Sequence, residues 1–365
     1  MNRRNWLSKA TLGSTGVVIL PHLGIAMPKT NLGDTYLRLA SNENPYGCSE
    51  QVKKSFLTSV TAINRYAFPS IPQLKIALAK RFQLTAENIL LSAGSSGILE
   101  AVVHFMLQRE GDVTTATPTF DILPSMLEKF GRKTHYIHLK QDHTLDLDAM
   151  LAKTQEHPGL VYIVNPNNPI GTVVASQELR QFITEATKYS YVLIDEAYLE
   201  FCDNPESMID MVINPRVMVI KTFSKVYGLA GLRIGYGFAH KEWVNELEKF
   251  MIFAGLPISS PSFSVATVAL DDENFVDFVV QKNTESKAIV VETLSKLEID
   301  YIPSQTSFIL FDISKYPTDF MMDMKNKGIL IGTRDYLGKK WCRVSMGTVE
   351  EIKEFTKVLT ELWKA

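Results

Sequence analysis

Between about Ala62 and Gly255, short apolar runs alternate with stretches whose apolar residues recur at helical spacing. The runs include 89-ILLS-92, 113-VTTATPTF-120, 160-LVYIV-164, 192-VLID-195 and 217-VMVIK-221. A run that is apolar on both faces belongs in a sheet covered by helices on each side, so the pattern predicts a mostly parallel sheet in an α/β domain. Around 255-GLP-257 the alternation breaks. Beyond it a long helical stretch spans much of 261–298, and 306-TSFILFDI-313 and 341-WCRVSMG-347 read as strands of a smaller domain. The end of the chain, 349-VEEIKEFTKVLTEL-362, has the spacing of a packed closing helix. The expected division is a large domain over 62–256, a small one over 257–365, and a segment over 28–61 that returns to the small domain.

The first 27 residues read differently. Arg3-Arg4 precedes a mildly apolar stretch that reaches small residues at Gly24 and Ala26, the pattern of a twin-arginine export signal cleaved after Ala26. Gly13, Gly16 and Pro21 interrupt the apolar part, which is too short for a membrane span. The expectation is a periplasmic or otherwise exported protein; the alternative is a cytoplasmic one with an amphipathic arm. With 365 residues, 45% of them hydrophobic, the chain can bury one large core and a smaller one. A net charge of -2 without a basic stripe argues against a nucleic-acid partner. Cys48, Cys202 and Cys342 show neither metal-ligand spacing nor a disulfide framework and read as free thiols. His135 and His138 are three apart but have no third ligand near them in sequence, so no metal site is expected.

Candidate chemistry lies where the apolar runs end. Lys225 follows one of them in 221-KTFSKVYGLAGLRIGYGFA-239, with a glycine-broken loop and Arg233 after it. A Ser-Lys pair in a loop is by itself an ordinary surface charge. Other residues supply what a covalent lysine in a pyridoxal-phosphate (PLP) site needs. Asp195 ends 191-YVLID-195, where a carboxylate pairs with a pyridine nitrogen and keeps it protonated, and Tyr198 is in reach of the ring hydroxyl. A plain capping Asp is the competing reading. Asn168 sits in 161-VYIVNPNNPIGT-172, a loop stiffened by two Asn-Pro pairs. Ser95 and Ser96 open a helix after a strand, a ready anion site for a phosphate, though an ordinary serine-capped helix looks the same.

Taken together, these segments resemble the fold-type I PLP-dependent aminotransferases, class I/II, of the histidinol-phosphate aminotransferase group, over roughly residues 36 to 362. Asn42-Glu43-Asn44-Pro45 resembles that group's opening motif, and 64-NRYAFP-69 resembles the segment whose tyrosine enters the neighbouring subunit's site. The resemblance implies a large domain with a mostly parallel seven-stranded sheet flanked by helices, plus a smaller α+β domain. It implies Lys225 as the Schiff-base lysine, Asp195 as the pyridine-nitrogen partner, and Asn168 and Tyr198 as ring-hydroxyl partners. It places Ser95, Ser96, Thr222, Ser224 and Arg233 around the cofactor phosphate and stacks Phe120 on the ring. Tyr66 would come from the partner of a homodimer. Arg343 would clamp a substrate α-carboxylate, with Asn42 and Arg334 also on the substrate side.

Two departures bear on the substrate. In 328-GILIGTRDYLGKKWCRV-344, Gly332 stands where the family carries a further arginine for the substrate's phosphate, and Arg334 lies two residues later. The family's amino-terminal tyrosine is replaced by the export-signal pattern. The reading is a PLP-dependent aminotransferase moving an amino group from histidinol phosphate or an amino acid to a 2-oxo acid such as 2-oxoglutarate. Aromatic or broad donor specificity, another PLP reaction such as a lyase or decarboxylase, and a catalytically silent exported binding protein are the alternatives.

Overall fold

The computed structural model describes residues 36–251 and 253–364; the export-signal pattern lies outside them. Strand β1 (Leu37–Leu39) comes first, then β2 (Ile89–Ser92), β3 (Asp112–Thr117), β4 (Thr134–His138), β5 (Gly159–Val164), β6 (Tyr191–Asp195), β7 (Val217–Thr222) and β8 (Gly235–Ala239). Near the carboxyl end lie β9 (Tyr301–Ile302), β10 (Phe308–Asp312), β11 (Ile329–Tyr336) and β12 (Lys339–Ser345). Seven strands form one sheet in the order β2-β8-β7-β6-β5-β3-β4, and five form another in the order β1-β11-β12-β10-β9.

The two-faced apolar runs behave as their composition dictates. Val161 and Ile163, Val192 and Ile194, and Val217 and Val219 pack on one face of the large sheet, against helices that include Ser70–Phe82 and Ser176–Ala186. The alternate residues Leu160, Tyr162, Leu193, Met218 and Ile220 pack on the other face, against the helices Ser95–Leu107 and Lys241–Glu248. Each fully buried Val, Leu or Ile contributes about 1.5 to 3 kcal/mol relative to exposure, so the register is held from both sides. Six strands share one direction and β8 opposes β7 and β2. That exception follows from its connection, because the chain between Thr222 and Gly235 turns back without a crossover α-helix.

The helical stretch expected across 261–298 is two helices, Ser260–Leu270 and Glu273–Lys296. Asp272 separates them: its carboxylate accepts the Phe275 N–H at 3.2 Å and caps the second helix. The first buries Phe263 and Val265 with the large sheet, whereas the second sends Val290 and Leu294 into the core of the five-stranded sheet. The closing helix Val349–Lys364 packs Ile352, Phe355 and Leu359 in that same core. β1 joins the small sheet from the amino-terminal side, Leu37 lying parallel to Ile329 of β11. No helix among the described residues is long and apolar enough to cross a membrane. The carboxyl ends of β2, β3, β5, β6 and β7 all emerge along one edge of the large sheet, facing the segment at 40–45 and the end of β12.

Candidate active site

Along that edge runs a cleft of about 870 Å³. Asp195 enters it as the last residue of β6, Thr222 as the last residue of β7, and Lys225 from the turn that follows. Asn168 comes from the loop after β5, and Ser95 and Ser96 from the first turn of the helix after β2. Phe120, Tyr198, Ser224, Arg233, Asn42, Arg334 and Arg343 complete the set on the same walls. Tyr66 alone among the predicted site residues stays out of it. It is 77% exposed, with its ring 5.7 Å from that of Phe68.

One end of the cleft is built for an anion. Gly94 adopts φ +75°, and a Cβ there would collide with the Arg233 guanidinium, which lies over the bare backbone leading into the helix. The Ser95 and Ser96 backbone at the head of that helix, their hydroxyls and Arg233 therefore face one volume. The Thr222 and Ser224 hydroxyls adjoin it, 2.9 Å apart and bonded to each other.

The middle of the cleft holds an unusual carboxylate. Asp195 is 3% exposed; its Oδ1 accepts the Ala197 N–H at 3.0 Å, and Oδ2 accepts from the Tyr162 hydroxyl at 3.4 Å. Among the described residues no cation forms an ion pair with it, and burial pushes its pKa up to about 6. A buried carboxylate lacking a cationic partner, beside an anion cradle and a lysine, fits the protonated pyridine nitrogen and phosphate of the expected cofactor. Tyr162 is the residue that the sequence reading passed over. Its signal was a hydroxyl inside an otherwise apolar strand, which must find a partner when buried.

Asn42 ties the lysine to the tyrosine. Lys225 Nζ donates to the Asn42 carbonyl at 3.1 Å, and Asn42 Nδ2 donates to the Tyr198 hydroxyl at 2.9 Å. The backbone of Asn42 is in turn held by Ser345, whose hydroxyl accepts its N–H at 2.8 Å and donates to its Oδ1 at 2.7 Å. Arg343, buried at the end of β12, donates to Asn168 Oδ1 and to the Ala40 carbonyl, both at 2.9 Å. Among the described residues its Nε has no partner, and burial together with the charge of Arg334 lowers its pKa. A desolvated guanidinium with a spare donor and no carboxylate of its own favours an anionic ligand. Arg334 is exposed and, among the described residues, donates to the Thr333 carbonyl at 3.0 Å. Gly332 pairs with Arg343 and Arg334 with Trp341, so these two alternate positions of β11 share a face of the sheet.

The profile of the aminotransferase class I and II family matches residues 34–359. A histidinol-phosphate aminotransferase of Akkermansia muciniphila is 34% identical over 328 residues, covering 89% of this chain and 90% of the relative. One from Bacillus licheniformis is 31% identical, covering 89% and 91%. The crystal structure of histidinol-phosphate aminotransferase from Sinorhizobium meliloti in complex with pyridoxal-5'-phosphate superposes with a TM-score of 0.84 at 24% identity, over 90% of this chain and 91% of that one; at that identity the likeness shows the fold.

Proposed function

We propose that this chain, which belongs to the aminotransferase class I and II family and is a PLP-dependent transaminase, takes amino groups from histidinol phosphate or an amino acid and passes them to a 2-oxo acid such as 2-oxoglutarate. The observation that carries the reading is one cleft holding Lys225, the buried Asp195 carboxylate, the anion cradle at Gly94–Ser96 and Arg343. Bound there, PLP supplies a ring that withdraws the electron pair left at the donor carbon when its proton departs. Asp195 keeps the proton on the ring nitrogen. Ser95, Ser96, Thr222, Ser224 and Arg233 hold the phosphate, and Asn168 and Tyr198 face the ring hydroxyl while Phe120 covers the ring. Lys225 Nζ holds the cofactor covalently and moves the donor's proton, steadied by the Asn42 carbonyl. Arg343, with Arg334 at the mouth, binds the anionic end of the donor. Uncharged aromatic donors compete with histidinol phosphate in this reading, since Gly332 contributes no charge beside Arg343.

Tyr66 serves the site of a second copy. Leu57, Ile63, Tyr66 and Phe68 are exposed together around the turn after the helix Glu50–Ser59, an apolar surface that a homodimer would cover. Export by the twin-arginine route completes the proposal, because that route carries folded proteins and so allows the cofactor to be loaded first. A panel of amines against 2-oxoglutarate and pyruvate, read by keto product, tests the function. Absence of product from every donor, in protein that holds its cofactor, would overturn it.

A further inference from the structure

At the amino ends of the parallel strands, away from the cleft, three metal-ligating side chains converge. Asp112 opens β3, His135 is the second residue of β4, and His157 ends the helix Leu147–Glu156 just before β5. The sheet explains the meeting. Thr114 pairs with His135 across β3 and β4, Asp112 pairs with Gly159 across β3 and β5, and the Asp112 N–H donates to the Pro158 carbonyl at 3.1 Å. A side chain at Gly159 would collide with the Asp112 backbone, so the His157–Gly159 segment lies against Asp112 only because that position is bare.

One donor atom from each residue lies within 4.8 Å of the others. His135 Nε2 is 2.7 Å and His157 Nδ1 3.5 Å from Asp112 Oδ2. Ligands sharing a tetrahedral ion with bonds of about 2.0 to 2.1 Å stand ~3.3 Å apart, which these distances bracket. The two imidazoles stack with centroids 4.2 Å apart at 18°. Chelation therefore requires the half-exposed His157 ring to turn about its Cβ–Cγ bond, a torsion with a broad well.

We propose that Asp112, His135 and His157 bind one divalent transition cation of the zinc class. Two imidazoles and a carboxylate suit zinc, cobalt, nickel or copper rather than magnesium or calcium, which prefer all-oxygen shells. The ion ties the edge strand β4 and β3 to the connection that enters β5. It takes no part in the chemistry of the cleft, because Asp112 stands five residues before the cleft end of β3, roughly 17 Å away at 3.3 Å per residue.

The test uses the full-length protein loaded with PLP and freed of excess cofactor. Zn²⁺ is titrated calorimetrically, and Co²⁺ is added in parallel to read its visible bands. The expected result is one ion per chain and a cobalt spectrum free of thiolate charge transfer. His135→Gln and His157→Gln should each weaken binding by more than about tenfold, beyond the lower range for losing an outer-shell partner alone, while His138→Gln leaves it unchanged. Transaminase turnover should be the same in all three variants, which also reports that they fold. Lack of saturable binding, or binding that survives both His135→Gln and His157→Gln, overturns the proposal.

Discussion

With the Ala197 N–H and a more distant Tyr162 hydroxyl as its hydrogen-bond partners among the described residues, Asp195 ionises against the cost of burial in the cofactor-free chain. A folded pKa near 6 against an ordinary 3.8 means that the native state binds a proton more tightly than the unfolded one. The stabilisation this proton brings is complete below about pH 4 and is lost as pH rises to about 6, some 3 kcal/mol at 1.36 kcal/mol per unit. Cofactor-free Asp195→Asn should therefore unfold at higher denaturant than the parent at pH 8 but not at pH 4; equal midpoints at both would remove the carboxylate's buried charge from the explanation. In the proposed cofactor-loaded site the sign reverses, because there Asp195 would face a ring cation. Asp195→Ala should bind cofactor yet turn over orders of magnitude more slowly, since the ring nitrogen loses its proton and the ring its pull on electrons. Lys225→Ala should lose both the yellow absorption band of the purified protein and the cofactor trapped by borohydride. Covalent trapping at another lysine would displace Lys225 from its role.

At the scale of elements, the turn between β2 and the helix Ser95–Leu107 and the face of β11 decide what the cleft holds. Gly94 is left-handed and lies directly beneath Arg233, so Gly94→Ala must move the guanidinium or the turn. Losing one charge-assisted contact of roughly 1.5 to 3 kcal/mol predicts cofactor affinity about ten- to a hundredfold weaker, measurable by equilibrium dialysis. An unchanged affinity would mean that Arg233 does not hold the phosphate. On β11 the regular pairing with β12 places Arg334 one strand repeat beyond Gly332 rather than in the same place. Histidinol phosphate should then be preferred over uncharged aromatic donors by less than about a thousandfold in kcat/KM, or 4 kcal/mol. A larger ratio would show that Arg334 reaches back along the strand.

For the whole molecule, the proposed homodimer, in which the exposed Tyr66 enters the partner's site, has its own test. Lys225→Ala and Tyr66→Phe proteins, each inactive alone, should regain activity when their subunits exchange, because one hybrid site then carries both native residues. No recovery after proven exchange would confine Tyr66 to its own chain or to no site at all.

How much of this was legible in the sequence depended on the range of the interactions involved. Two-faced apolar runs, the glycine before Ser95 and the residues ending each strand are local, and periodicity and chain order sufficed to read the α/β sheet and the residues at its carboxyl edge. Helix capping was local too, but Asp272 was lost in a run whose apolar spacing continues on both sides of it. Contacts between distant segments left no such trace. The Asn42–Tyr198–Ser345 bonds join residues more than 140 positions apart, and the pairing of Asp195 with Tyr162 depends on the register of β5 against β6. Asp112, His135 and His157 meet because three strands align, whereas the sequence showed only His135 and His138 three apart with no third ligand and gave no metal site. By itself the sequence determined which groups the chain offers at the ends of its strands; only the packing of two sheets decided which of them lose water, find partners and face one another.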